Sequence, residues 1–261
     1  MVKKIRSRIG RYLRGAARRI DPSAPKPAGS PAAGYAKTDP FFDCLVRLGF
    51  KPRSIVDVGA NRGNWTRTAM RYFPEAKYYL FEPQRDLLAE SDLQRDARVK
   101  IFAVGVGAAN ATMKLSKHEK DHSFSFALSE EQASEQGREQ VDAPVVALDE
   151  FLTSQCIAYP EMLKIDAEGW DLEVVNGGEN TVANAEIVLL EAAVTCHAFR
   201  NTVESVVLGM SARGFQLFDI TDLNRPLPHG ALWLVELAFA KKGGRLMKAV
   251  EENSALYACL G

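Results

Sequence analysis

The sequence predicts an α/β protein built on a mostly parallel β-sheet. Short apolar segments alternate with helical segments from about Asp39 onward, which is typical of parallel strands joined by crossover helices. Two of the apolar segments end in an acidic residue followed by a turn, and ligands of such sheets bind beyond the carboxyl ends of the strands. With 261 residues, the chain is long enough to bury a large core in this architecture.

The predicted elements follow one another along the chain. Core strands are expected where short apolar runs occur, at Ser54–Val58, Lys77–Phe81, Val99–Val106, Met162–Asp166 and Glu186–Glu191. Helices are expected between them, at Thr66–Tyr72, Leu87–Leu93, Asp171–Val175 and Asn201–Arg213, with Gly177 and Gly178 ending the third in the left-handed conformation. Shorter inserted β segments are expected at Thr112–Leu115, Ser123–Leu128 and Ala143–Ala147. An antiparallel pair, Phe215–Ile220 and Leu232–Lys241, is expected to complete the sheet.

The composition is that of a globular protein, with 46% hydrophobic and 25% charged residues. No run of 18 apolar residues occurs, which excludes a transmembrane helix. The four cysteines, Cys44, Cys156, Cys196 and Cys259, lie far apart and form no Cys-x-x-Cys pair, which disfavours a disulfide framework or a structural zinc site. We therefore expect a reducing, cytoplasmic location.

Charge is distributed unevenly along the chain. Residues 1–20 hold eight of the 33 basic side chains and no acidic one, so the other residues carry 25 basic and 33 acidic side chains. Apolar residues at helical spacing predict a basic amphipathic helix over 1–21, and a Pro-, Ala- and Gly-rich linker follows over 22–37. Such a helix could bind an anionic membrane, dock on the acidic body or remain a solvated arm, and nucleic acid is the least favoured partner. A folded domain is expected over 38–245 and a C-terminal tail over 246–261.

The strongest motif is VDVGANRGNWT, which surrounds the end of the first strand. The strand ends near Asp57, a turn of small residues follows (Gly59, Ala60, Asn61 and Gly63), and a helix begins after it. Small residues let a ligand approach the backbone, the acid can accept a bond from an amine or hydroxyl, and the helix N-terminus presents N–H groups. We therefore predict that these residues bind a ligand.

A second motif, FEPQ, places Glu82 and Pro83 at the end of the next strand, 25 residues after Asp57. An acid in that position can accept bonds from both ribose hydroxyls of a nucleoside. The first turn lacks the G-x-G-x-x-G pattern that holds a pyrophosphate, and the similar run that begins at Gly105 has Asn110 in place of the third glycine. A nucleoside with an amino-acid tail and no phosphate, S-adenosylmethionine, therefore fits better.

The combined motifs resemble the FkbM family of S-adenosylmethionine-dependent methyltransferases. The resemblance rests on DVGANRG, FEP, VVALDEFL (Val145–Leu152) and LKIDAEGWDLEVVNGG (Leu163–Gly178), and extends over roughly residues 40–240. It implies a Rossmann-like, seven-stranded class I methyltransferase fold and O-methylation of hydroxyls on sugars or polyketide-type products. It also implies that the turn after the first strand, together with Asp57, lines the methionine part of the cofactor and that Glu82 holds the ribose; we add Ala60, Pro83 and Asp166 to the expected cofactor site.

Three carboxylates and two histidines are candidates for activating an acceptor hydroxyl. Asp166 and Glu168 follow the fourth core strand, and Glu191 ends the fifth. Each can serve as a general base, and the first two could belong to a magnesium site, although no residue spacing demands a metal. Alternatively, Asp166 orients the cofactor or substrate and Glu168 caps the following helix. His122 in the inserted region and His197 after the fifth strand are further candidate bases.

These observations predict a transferase that O-methylates a hydroxyl of a sugar, glycan or related natural product. An RNA ribose methyltransferase is the alternative enzyme that the basic tail suggests, although the acidic body disfavours nucleic acid. A non-catalytic, membrane-tethered nucleoside-binding scaffold is the alternative outside enzymes. The expected partners are a small-molecule or glycan acceptor and, through residues 1–20, an anionic membrane surface that would hold the protein peripherally at its inner face. Acceptor specificity is expected in Lys117–Val141 and near Asp219–Gly230.

Overall fold

The computed structural model describes residues 38–89, 91–117, 124–125, 130–135, 137–196 and 200–253. The predicted basic helix over 1–21 and linker over 22–37 lie outside these residues, and so do the candidate bases His122 and His197. Within the described residues, no helix is both long and apolar enough to cross a membrane.

Strands and helices alternate through most of the described chain, as the sequence predicts. The strands are β1 Ser54–Val58, β2 Lys77–Phe81, β3 Val99–Phe102, β4 Gly105–Gly107, β5 Ala111–Lys117, β6 Phe124–Ser125, β7 Glu139–Ala147, β8 Met162–Ile165, β9 Ile187–Ala193, β10 Phe215–Asn224 and β11 Leu234–Lys241. The helices are α1 Thr38–Arg47, α2 Asn64–Tyr72, α3 Glu130–Glu135, α4 Leu148–Ser154, α5 Asp171–Gly177, α6 Glu179–Asn184, α7 Val203–Ala212 and α8 Arg245–Asn253, with 3₁₀ turns at Arg85–Leu87 and Asp92–Arg95.

The sheet topology places β8 at the centre of the main sheet, with β1 and then β2 beside it. Among the described residues, seven strands form the main sheet in the order β10-β11-β9-β8-β1-β2-β3, and four form a smaller sheet in the order β4-β7-β5-β6. Strands β9, β8, β1, β2 and β3 run parallel, whereas β11 is antiparallel to both β9 and β10. The predicted Rossmann-like sheet with an antiparallel C-terminal strand is therefore confirmed, and the smaller sheet is the inserted β segment. Because β1 and β8 are adjacent, their carboxyl ends meet where ligands of such sheets bind.

Different helices cover the two faces of the central strands. Val56 and Val58 in β1 belong to a core formed with α5 and α7, whereas Ile55 belongs to a core formed with α1 and α2. Because alternate residues of a strand face opposite sides, Asp57 shares the face of Ile55. The polar end of that face therefore lies beneath α2, beside the turn that follows β1.

Gly177 and Gly178 do not end α5 in the predicted way. Gly177 is the last residue of the helix, and Gly178 has a φ of −131°, so neither adopts the left-handed conformation. Gly177 is needed for space instead, because a Cβ there would lie 1.9 Å from the backbone oxygen of Gly107 in β4. The glycine therefore lets α5 pack closely against the smaller sheet.

Three other predicted segments differ in the structure. Leu87–Leu93, predicted as one helix, contributes to two separate 3₁₀ turns, and the Ser91 hydroxyl accepts a bond from the Leu93 N–H at the start of the second. Val99–Val106, predicted as one strand, is divided into β3 and β4, which belong to different sheets. The chain also continues to fold beyond the boundary predicted at residue 245, because Leu246 of α8 is buried in the core beside α1 and α2.

Candidate functional site

A cavity of about 460 Å³ opens at the carboxyl ends of β1 and β8. Four residues that the sequence analysis assigned to a cofactor site line it, namely Gly59, Ala60, Asn61 and Asp166. Its other walls come from Asp39 at the start of α1, from the start of α2, and from the ends of β10 and β11 that lie at the same edge of the sheet. The cavity therefore lies where the strand-end motifs predicted a ligand.

The turn after β1 is built from left-handed residues. Gly59, Asn61 and Gly63 have φ angles of 75°, 49° and 73°. A Cβ on Gly59 would lie 1.8 Å from the backbone oxygen of Asp166, and one on Gly63 would lie 2.2 Å from a methyl carbon of Leu93. Only glycine fits these two positions, whereas asparagine tolerates the left-handed region better than most residues. The turn thereby brings the end of β1 directly against the end of β8.

A buried chain of polar contacts lies beneath the cavity. Asp57 and Lys164 are register partners on β1 and β8, and Lys164 Nζ lies 3.5 Å from Asp57 Oδ1 and 3.2 Å from Asp166 Oδ2. The Thr66 hydroxyl donates to Asp57 Oδ2 at 2.5 Å, which links α2 to β1. The side chains of Lys164 and Asp57 are 5% and 0% exposed, so these contacts are shielded from water. Asp57 Oδ1 accepts no hydrogen bond from any described residue.

The charges in this chain of contacts stabilise one another. Burial raises the pKa of Asp57, and the Lys164 ammonium opposes that rise. Burial also lowers the pKa of Lys164, but the carboxylates of Asp166 and Asp57 outweigh it and raise the pKa above its usual value. Lys164 is therefore a permanent cation at the floor of the cavity.

Glu82 lies at the end of β2, beside the glycine turn, and is 1% exposed. Its Oε2 accepts a bond from the Asn61 N–H at 2.8 Å, and its Oε1 accepts one from the Gln84 N–H at 2.8 Å. Burial raises the pKa of Glu82 to about 7, although both bonds favour the ionised form. An ionised carboxylate has about four lone-pair sites, so two remain for the donors of a ligand.

A narrow apolar cleft of about 10 Å³ adjoins the cavity at Gly59. Pro83, Val104, Val106 and Ala167 are among its lining residues. This volume suffices for about one water molecule, so the cleft must widen to admit a larger apolar group.

More carboxylates continue the polar edge across the sheet. Glu191 in β9 is the register partner of Glu236 in β11, which in turn is the register partner of Asp222 in β10. The Thr221 hydroxyl donates a short hydrogen bond to Glu236 Oε1. Burial raises the pKa of Glu236 to about 7, and burial together with the nearby Asp166 carboxylate raises the pKa of Glu191 well above its usual value. The strand ends from β10 to β2 therefore present a row of carboxylates around Lys164.

The family model described as Methyltransferase FkbM domain matches residues 57–217. The match covers more than half of the chain and includes the glycine turn, Glu82 and the end of β8. The chain belongs to the FkbM methyltransferase domain family. This membership places it among the S-adenosylmethionine-dependent methyltransferases, as the two cofactor motifs predicted, and leaves the acceptor open.

Solved methyltransferase structures share the fold. Methyltransferase FkbM from Methylobacillus flagellatus KT superposes with a TM-score of 0.50 at 15% identity, over 72% of this chain and 43% of that chain, so this chain spans less than half of that protein's length. Precorrin-6y C5,15-methyltransferase from Geobacter metallireducens GS-15 gives a TM-score of 0.44 at 10% identity, over 82% and 93%. The Burkholderia thailandensis 1,6-didemethyltoxoflavin-N1-methyltransferase, solved with 1,6-didemethyltoxoflavin and S-adenosylhomocysteine, gives 0.40 at 14% identity, over 77% and 75%. The first likeness bears on the fold alone, and the other two are too weak to carry an argument. Comparison with curated proteins gave no match.

Glu168, whose predicted alternative role was to cap α5, is not the N-cap residue of that helix. The N-cap residue is Trp170, which makes no side-chain capping bond, and Glu168 lies two residues earlier in a left-handed turn with a φ of 52°. Among the described residues, the cavity lining includes Asp166 but neither Glu168 nor Glu191. Of the predicted carboxylate bases, Asp166 is therefore the one that reaches the cavity. No group of three His, Cys, Asp or Glu side chains in the described part of the chain is placed to hold a metal ion.

Asp171, which the sequence analysis did not select, anchors the end of β9. Its Oδ1 accepts a bond from the Glu191 N–H at 3.1 Å, and its Oδ2 accepts one from the Asn201 side chain at 3.2 Å. Asp171 is fully buried, and burial raises its pKa to about 7. An acid in the first turn of a helix is ordinarily explained by the helix dipole, which is why nothing in the sequence singled it out.

Other residues of the cavity were missed for different reasons. Lys164 and Glu236 are charged residues inside apolar strands, MLKI and LVELAFAK, and that contrast was a usable signal. Trp65 follows the glycine turn and carries no such contrast. Asp222 fell within the predicted specificity segment Asp219–Gly230, whose first half forms β10 rather than a loop.

Proposed function

We propose that the protein is an S-adenosylmethionine-dependent O-methyltransferase whose acceptor is a hydroxyl of a sugar, glycan or related natural product. The observation that carries this proposal is that one cavity joins the glycine turn of the family motif to the carboxylate of Asp166. Methyl transfer requires that donor and acceptor be aligned, and a shared cavity favours that alignment.

The residues around the turn fit the cofactor. Glu82 keeps two lone-pair sites that ribose hydroxyls would use once the adjoining cleft widens. Asp57 lies buried beneath the cavity, where it holds Lys164 and Thr66 in place. Gly59, Ala60 and Asn61 line the cavity with a turn of small residues, where the amino-acid part would bind. When bound, S-adenosylmethionine supplies an electrophilic methyl group on its sulfonium.

Pro83 and the apolar cleft beside it would receive the adenine. The cleft is lined by aliphatic side chains and Phe81, which suit a flat base, but it must widen first. The adenine part of the cofactor site would therefore reach its full size only when the ligand binds.

Asp166 is the general base that we propose. Its side chain is 42% exposed at the cavity, and Lys164 Nζ holds its Oδ2 at 3.2 Å. Lys164 keeps the carboxylate oriented while it accepts the proton of the acceptor hydroxyl, which makes the acceptor oxygen nucleophilic. The carboxylates that surround this point weigh against an RNA acceptor, because phosphates would be repelled.

Turnover with a labelled methyl donor tests the proposal. The full chain is incubated with methyl-labelled S-adenosylmethionine and neutral sugars, amino sugars and glycans, and NMR locates the label in the product. We expect an O-methyl product, and Asp166→Asn should lower turnover by about 10²–10⁴-fold. The exposed Asp86, changed to Asn, is the matched control and should retain full turnover. Label on nitrogen or carbon, or full activity of Asp166→Asn, would contradict the proposal.

We also propose that residues 1–20 attach the protein to an anionic membrane surface, and so place it peripherally in the cytoplasm. The support is their eight basic and no acidic side chains. Flotation with liposomes that contain anionic lipid should retain the full chain and lose a chain that starts at residue 38. Equal flotation of the full and the shortened chain would contradict membrane attachment through residues 1–20.

A further inference from the structure

The cavity extends beyond the part that the proposed cofactor site uses. Away from the glycine turn it is bounded by Trp65 of α2 and by Asp222 and Glu236 of β10 and β11. In the main sheet, β9 lies between β11 and β8. Asp222 and Glu236 are therefore not on a strand next to that of Asp166, and they line a different wall of the cavity. The space between them and Asp166 is where an acceptor must lie to reach the base.

The two carboxylates are held in fixed positions. Asp222 and Glu236 are register partners in the antiparallel ladder. Asp222 Oδ1 accepts a bond from the Leu223 N–H at 2.8 Å, and Glu236 Oε1 accepts the short bond from the buried Thr221 hydroxyl. Oriented carboxylates of this kind bind donors such as hydroxyl or ammonium groups.

Trp65 adds an apolar surface and an unused donor. Its ring packs against Phe42, with the ring centroids 5.4 Å apart, and lies 5.9 Å from Lys164 Nζ. The indole Nε1 is fully buried and donates to no described residue, although buried indole N–H groups usually have a partner. The ring lines the cavity and offers a ligand an apolar face, whereas the buried indole N–H is not exposed to the cavity.

The charges of the lining discriminate between classes of acceptor. Asp39 is paired with Arg71 and Asp166 with Lys164, whereas neither Asp222 nor Glu236 forms a salt bridge with a described residue. Two cations also line the cavity: Arg62 in the glycine turn, on the side of the proposed cofactor site, and Lys164, whose ammonium attracts Glu236 as well as Asp166. The side bounded by Asp222 and Glu236 therefore carries net negative charge when both carboxylates are ionised. An anionic group there would meet like charge, and such repulsion is an effective basis of specificity.

We propose that Trp65, Asp222 and Glu236 form the acceptor subsite, and that it selects an uncharged or amino-bearing polyol and rejects an anionic one. This inference rests on the proposed function, because it assumes that the acceptor hydroxyl reaches Asp166. The two carboxylates that would select the acceptor lie on β10 and β11, and neither strand carries a cofactor motif.

Binding of three matched sugars to the cofactor-loaded chain tests this inference. The full chain is saturated with S-adenosylhomocysteine at about pH 8.5, where both carboxylates are ionised. Glucosamine, glucose and glucuronate share one ring; at this pH glucuronate is anionic and the other two are mostly uncharged, and saturation-transfer NMR gives their affinities. We expect glucosamine and glucose to bind at least about tenfold more tightly than glucuronate, which is the effect of about one charge-assisted hydrogen bond.

Variants of the subsite separate recognition from folding. Asp222→Asn and Glu236→Gln should each reduce the discrimination to within about threefold, while affinity for S-adenosylhomocysteine, which reports that the variant is folded, stays close to that of the parent. Asp86→Asn, an exposed acid outside the cavity, should keep the full discrimination.

Each outcome decides between the proposals. If S-adenosylhomocysteine binds and glucuronate binds as tightly as glucose, or if none of the sugars binds, the acceptor inference is overturned and the proposed function stands. If the variants keep the discrimination, Asp222 and Glu236 are not its source and the inference is likewise overturned. If S-adenosylhomocysteine does not bind at all, the proposed function fails and this inference fails with it.

Discussion

Replacing Lys164 by methionine tests whether a buried cation holds the strand ends together. The ammonium lies 3.5 Å from Asp57 Oδ1 and 3.2 Å from Asp166 Oδ2, and the lysine side chain is 5% exposed. Methionine fills the space of the alkyl chain but leaves the fully buried Asp57 carboxylate without a cation. Removing one partner of a buried pair costs about 3–5 kcal/mol. Because Asp166 is 42% exposed and can be solvated, we expect a loss near the lower limit, about 3 kcal/mol.

Urea denaturation at about pH 7 measures this loss, and a double-mutant cycle assigns it. Asp57→Asn in the Lys164→Met background removes the unpaired charge, and the amide oxygen that replaces the carboxylate can still accept the Thr66 hydroxyl. The double variant should therefore be more stable than the sum of the single changes predicts, by at least about 1 kcal/mol. Lys114→Met is the control, because Lys114 pairs with Asp142 at 2.9 Å with both side chains half exposed or more, and it should change stability little.

Two results would contradict this prediction. One is a Lys164→Met variant whose free energy of unfolding lies within about 1 kcal/mol of the parent value. The other is a cycle in which the two changes simply add. Either result would mean that the Asp57 carboxylate is not stabilised by Lys164.

Two further predictions concern titration and packing. The folded pKa of Glu236, about 7, lies above the ordinary value of 4.5, so its contribution to stability is present at low pH and is lost as pH rises through about 7. The difference in free energy of unfolding between Glu236→Gln and the parent should therefore shift in favour of the variant by roughly 1–3 kcal/mol from about pH 5 to about pH 8. Urea unfolding at these two pH values measures the difference, and a difference that does not change with pH would contradict the prediction. Gly177→Ala should lower the free energy of unfolding by about 1–3 kcal/mol, because its Cβ would meet the Gly107 oxygen at 1.9 Å. Gly209→Ala, also in a helix but with its nearest atom at 3.6 Å, should be neutral or stabilising, and equal losses for both variants would refute the packing argument.

Much of the fold was predictable because its signals are local. The strands Ser54–Val58 and Lys77–Phe81 occur with the predicted bounds, since each is a short apolar run closed by a glycine or proline turn. The wall of the cavity beside β1 and β8 was predictable for the same reason, because Gly59, Asn61 and Asp166 belong to contiguous motifs. Segments without a local boundary were predicted poorly, as the division of Val99–Val106 between two sheets shows.

The rest of the site depends on which strands are neighbours, and the sequence does not state that. Glu236 faces the cavity only because β11 inserts antiparallel between β9 and β10, which brings residues far apart in the chain to one sheet edge. Gly177 was assigned to helix termination because glycine is common there, whereas its role is set by contact with Gly107. In both cases the deciding contact joins distant segments.

We propose that the carboxyl ends of β1, β2 and β8 bind S-adenosylmethionine, and calorimetric titration with S-adenosylhomocysteine tests this binding most directly. We predict one site per chain with a Kd between about 1 μM and 1 mM, weakened more than tenfold by Glu82→Gln or Asp57→Ala and unchanged by Asp86→Asn. The absence of binding by the full chain, or binding that neither Glu82→Gln nor Asp57→Ala weakens, would contradict the account.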